Sequence, residues 1–121
     1  MHLVIYGTIP ATGTAALLAR VTGWDGEPVT AAAVASVAWS VFRAAPQESK
    51  HRPVEGHQNL ALDPAAVIGP EDADGMNFRH VPPVDAGAPF SESESRYLVR
   101  YTIRPAAGEP LVVPFVLTTV G

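Results

Sequence analysis

Between Tyr97 and Arg104 the chain alternates between apolar and polar positions almost residue by residue. Tyr97, Val99, Tyr101 and Ile103 share one side of an extended backbone, and Arg100, Thr102 and Arg104 share the other. Period two with the charges on one side predicts a strand with one face buried and one face wet. Pro105 to Pro110 reads as a turn, and Leu111 to Val120 as a second strand, so this part of the chain forms a hairpin. Pro114 has no N–H to give to a ladder, which predicts a sheet edge or a bulge for the last strand.

Weaker alternation recurs upstream. Thr14 to Thr22 sets Leu17, Ala19 and Val21 against Arg20 and Thr22, then ends in Gly23-Trp24-Asp25-Gly26, whose Asp-Gly pair signals a turn. Val34 to Arg43 sets Val37, Trp39 and Val41 against Ala38 and Ser40. Val29 to Ala38 is the best helix candidate because of its alanines. It runs directly into β-branched and aromatic residues, so its first half reads as a loop or short turn. Val54 to Leu62 and Met76 to Val81 complete the interior strands, separated by Asp63-Pro64 and by the acidic turn Glu71-Asp72-Ala73-Asp74-Gly75. Pro82 to Ser95, with its prolines and alternating Ser and Glu, reads as an exposed loop. The apolar run at Met1 to Gly7 lacks a basic start and is too short for a leader or a membrane span, so it reads as a first strand. About seven strands at roughly ten-residue spacing predict an all-β, antiparallel β-sandwich in one domain spanning residues 1–121.

Composition changes this picture in three respects. Charged residues are 17% of the chain, below the usual quarter, while 47% are hydrophobic and mean hydropathy is +0.14. A surface so poor in charge suits life inside an assembly. The net charge is −4, and no cluster is expected among the 8 Lys and Arg residues, which argues against nucleic acid as a partner. Cysteine is absent, which excludes disulfides, zinc–thiolate sites and thiol nucleophiles.

Two sets of residues carry a resemblance. Trp39 in mid-strand and the Tyr97-Leu98-Val99 corner are similar to the core tryptophan and Tyr-x-Cys corner of immunoglobulin-type domains, with Val99 in place of the cysteine. The segment from Leu17 to Val29, followed by Val37-Ala38-Trp39-Ser40-Val41, resembles the N-terminal immunoglobulin-like domains of phage baseplate and tail-associated proteins. The likeness covers about half the chain and leaves the stretch from Pro46 to Phe90 unmatched. It implies an immunoglobulin-like sandwich and a non-enzymatic structural or adaptor role in a virion. Its implied partners are other structural proteins of the same assembly, met in multiple copies.

Candidate chemistry is sparse. The carboxylates of Glu71, Asp72 and Asp74 before Gly75 have the spacing of a calcium loop but lack its other ligands, so the turn reads as solvated. His2, His51, His57 and His80 show no metal-ligand spacing and read as scattered surface residues. Ser91, Ser93 and Ser95 alternate with Glu92 and Glu94 without a nucleophile elbow. No phosphate-binding glycine loop occurs. The expectation is therefore no catalysis, no metal, no cofactor and no membrane contact. Phe78 is expected in the core; Arg79 is open between a solvated position and an interface, and His80 reads with the surface histidines. The residues expected at an interface are Trp24, Arg79, Pro82, Pro83, Phe90 and Pro114, because aromatic, Arg and Pro side chains on loops and edges offer area at low entropic cost. The alternative is a carbohydrate- or ligand-binding sandwich using Trp24 beside Asp25 as a stacking platform.

Overall fold

A computed structural model describes residues 5–10, 16–23, 26–44, 50, 52–54, 56–81 and 96–120. Its elements are β1 (Ile5–Pro10), β2 (Leu17–Ala19), a 3-10 turn (Ala31–Ala33), β3 (Val34–Ala44), β4 (Arg52–Pro53), β5 (Leu60–Leu62), α1 (Pro64–Val67), β6 (Phe78–His80), β7 (Arg96–Pro105) and β8 (Leu111–Val120). The large sheet runs β1-β8-β7-β3-β4, with β5 also paired to β3, and β2 and β6 form the second sheet. The chain is thus an all-β sandwich. The neighbours β8, β7 and β3 of the large sheet face the pair β2–β6 across the core.

Alternation puts the core where period two requires it. Tyr97, Val99, Tyr101 and Ile103 of β7 are fully buried, and so are Val37, Trp39 and Val41 of β3 and Phe115 and Leu117 of β8. Leu17, Ala19 and Val21 close the core from the other side together with Phe78. Tyr101 lies at its centre, edge-on to Phe78 at 4.8 Å and to Phe115 at 5.7 Å. The alanines at 31–33 form only a 3-10 turn before β3. The β-branched and aromatic residues that follow override their helix preference.

Three expectations need correction. Val54 to Leu62 is not one strand. Gly56 and Asn59 take positive φ angles of 81° and 52°, which breaks extended pairing, and the segment loops out between β4 and β5. It stays tied to β3, since the Val41 N–H donates to His57 O at 2.8 Å and Gln58 Nε2 donates to Val41 O at 2.6 Å. Secondly, β8 is not an edge strand. β1 pairs alongside it in parallel from Phe115 to Val120, which also makes the sheet mixed rather than purely antiparallel. Pro114 stands one residue before that pairing begins, so the missing N–H coincides with its limit. Thirdly, Asp63-Pro64 opens a short helix. Asp63 Oδ1 accepts the Ala65 N–H at 3.1 Å, and proline occupies the first turn, where its lost N–H has no helical partner anyway.

One polar residue is built into the core. Asn77 is 4% exposed, and its side chain bridges segments 48 to 56 positions away. Oδ1 accepts the Val21 N–H at 2.7 Å, while Nδ2 donates to Val21 O at 2.9 Å and Val29 O at 3.1 Å. Val21 and Val29, which lie in no named strand, thereby get hydrogen bonds that a neighbouring strand would have supplied.

Candidate functional site

The register of the large sheet defines its outer face row by row. Phe42, Leu98 and Val116 form one row, Ser40, Arg100 and Pro114 the next, and Ala38, Thr102 and Val112 the third. Arg96 and Arg104 extend the same face of β7 at its two ends, paired with Ala44 and Ser36 of β3. Four residues of extended strand span about 13 Å, so Arg96, Arg100 and Arg104 make a straight ladder with rungs that far apart. All three are exposed. The Arg100 guanidinium lies 4.9 Å over the Phe42 ring, a cation–π contact across neighbouring strands. Apart from Thr102 and the buried Ser40, the three rows around Arg100 are apolar: Val112 is 49% exposed, and Phe42, Leu98, Pro114 and Val116 are half-buried. Among the described residues of these rows there is no carboxylate.

The residues expected at an interface fare unevenly. Pro114 lies on this outer face beside Arg100. Arg79 is exposed as expected but lies on β6, whose Phe78 is in the core, so it points away from the small sheet on the opposite side of the sandwich. The fold therefore does not bring these two together. Trp24, Pro82, Pro83 and Phe90 lie outside the described residues, as does the loop from Pro82 to Ser95. Sequence reasoning missed the arginine ladder because it looked for adjacent cations. The available signal was the i, i+4 spacing, which is even and so keeps residues on one face of a strand.

The histidines also depart from expectation. His80 and His57 are half-buried and flank Trp39 on two sides, with ring centroids 4.8 Å and 6.0 Å from it. His80 turns inward because it lies two residues beyond Phe78 on the same strand face. Its Nδ1 lies 2.5 Å from the Tyr101 hydroxyl, a tie between the two sheets. Burial lowers the His80 imidazole from its ordinary value to about 4 and pushes the Tyr101 phenol up, so both groups are neutral at physiological pH and share one hydrogen bond. His57 Nδ1 is buried without a hydrogen-bond partner among the described residues. Trp39 stacks on Tyr101 from β3, completing the cluster.

Elsewhere, a cleft of about 430 Å³ opens between Glu27–Thr30 and the β7–β8 turn, walled by Pro28, Val29, Pro105 and Leu111 with Glu27 and Glu109 among its lining. Among the described residues its lining has no histidine, serine or lysine. The acidic turn spends one carboxylate on its own backbone: Asp72 Oδ1 accepts the N–H groups of Asp74 and Met76 at 2.8 and 2.9 Å. Among the described residues no three His, Asp or Glu side chains converge as metal ligands. No helix among them is long and apolar enough to cross a membrane. Comparison of the chain with protein-family models, curated proteins and solved structures gave no match.

Proposed function

We propose that this chain is a non-enzymatic structural or adaptor module that docks, in multiple copies, onto other proteins of a phage or phage-like virion. The observation that carries the docking reading is the outer face of the large sheet, where half-exposed apolar side chains alternate with exposed arginine in a chain otherwise poor in charge. Arginine beside aromatic and aliphatic groups is the composition of protein interfaces. The non-enzymatic reading is supported by what the half-buried histidines are doing. His80 Nδ1 shares a hydrogen bond with the Tyr101 hydroxyl and the ring packs on Trp39, which leaves that nitrogen engaged within the core. The virion reading rests on the likeness of Leu17 to Val29 and Val37 to Val41 to baseplate and tail-associated domains.

The test is genomic and biochemical. Neighbouring genes for portal, capsid or tail proteins, and recovery of the chain from purified particles by mass spectrometry, are expected. Neighbours encoding glycan-processing enzymes, with the chain absent from particles, would refute the reading.

A further inference from the structure

We infer that the outer face of the large sheet binds an acidic protein surface, one that sets carboxylates against the β7 arginines and apolar side chains between them. This rests on the docking reading above and names the chemistry of the partner. Three of the chain's 8 Lys and Arg residues, Arg96, Arg100 and Arg104, stand on one strand face in a molecule of net charge −4. Salt screens charges beyond about 8 Å under physiological conditions, so a docking partner senses this local ladder and not the net charge. The rows between the rungs supply the apolar part of the contact, Phe42-Leu98-Val116 on one side of Arg100 and Ala38-Thr102-Val112 on the other. Arg100, already in contact with the Phe42 ring, loses less freedom when it pairs with a carboxylate than an unrestrained arginine would.

Two other occupants fit less well. A second copy placed face to face about a twofold axis would oppose one arginine ladder with another, which like-charge repulsion disfavours. Nucleic acid would meet phosphates spaced more closely than rungs about 13 Å apart, and it would cover half-exposed valine and proline for no gain.

The probe is a glutamate-rich glutamate–tyrosine copolymer, titrated into the isotope-labelled chain at near-physiological salt and followed by amide chemical shifts. Shifts confined to β3, β7 and β8 are expected. R100Q/R104Q should weaken binding about tenfold or more with its thermal midpoint kept, as should R104Q alone to a lesser degree. The opposite-face control R20Q/R79Q should bind as the parent does. Polyglutamate without tyrosine should bind more weakly than the copolymer. No binding, shifts centred on β2 and β6, tighter binding of a mixed-sequence DNA duplex, or shifts on this face from raising protein concentration alone would each overturn the inference. Recovery of the chain from particles alongside any of these results would leave the virion reading standing and reject only the acidic partner.

Discussion

Replacing Asn77 should be among the most damaging single changes to this domain, although Asn77 is neither large nor apolar. In Asn77→Ala the Val21 N–H loses its acceptor at 2.7 Å in a buried setting, which costs about 1–3 kcal/mol for an orphaned amide. Val21 O keeps the Val29 N–H at 3.0 Å, and the half-buried Val29 O is within reach of water, so losing Nδ2 adds roughly 0.5–1 kcal/mol at each. The total is about 3 kcal/mol, a large part of the roughly 5–15 kcal/mol that holds a domain folded. Urea unfolding followed by tryptophan fluorescence should show a lower midpoint with an unchanged slope. Asn77→Asp separates donor from acceptor. It keeps an oxygen for the Val21 N–H but turns a carboxylate toward two carbonyl oxygens. Its folded state should then hold a proton to higher pH than the unfolded chain, and the variant should lose stability as pH rises from acid to neutral. An Asn77→Ala protein within about 1 kcal/mol of the parent, or an Asp variant indifferent to pH relative to it, would refute this account.

Other consequences can be measured the same way. Trp39→Ala should cost about 3–5 kcal/mol in urea unfolding, because the indole is buried among Tyr101, His80 and His57. Tyr101→Phe should cost about 1 kcal/mol and free His80 Nδ1, read as a rise in the His80 titration midpoint by NMR. Because His80 titrates near 4 folded and near 6.5 unfolded, the unfolded chain binds the extra proton between those values. Stability should therefore be full above pH 6.5, fall as pH drops toward 4, and level off below. The loss is on the order of 1 kcal/mol after discounting for the partly solvated ring, and His80→Asn should abolish that slope.

What the sequence made legible followed strict alternation. The faces of β7 and the buried positions of β2 and the middle of β3 could be read directly, since period two leaves a strand little choice of which side to bury. Ser40 could not. It falls on the outer face by parity yet is 4% exposed, because its hydroxyl accepts the N–H of Asn59 from the loop that closes over the edge of β3. The roles of Asn77 and His80 were hidden for the same reason. Each is defined by a partner distant in sequence, Val21 for one and Tyr101 for the other, and no local pattern announces such a pairing. The candidate face was half legible. Arg100 and Arg104 were already on one side of the strand, but Pro114 and Val112 join them only through the register of the hairpin.

The parallel seam between β1 and β8 has a consequence for how the domain is made. Ile5 meets Phe115, so about 110 residues separate the partners. At about 5–20 residues per second, a ribosome needs roughly 5–20 s to synthesise the stretch between them. Through most of that interval β1 has been made but has no strand to join, while β3 can already pair with β4 and β5. The docking of β1 must therefore be the closing event of folding, at the largest loop-entropy cost the topology imposes. A chain that waits so long to seat its first strand is open to having that place taken by the same strand of a neighbouring copy emerging beside it. Crowded synthesis should then yield strand-exchanged oligomers that dilute refolding does not.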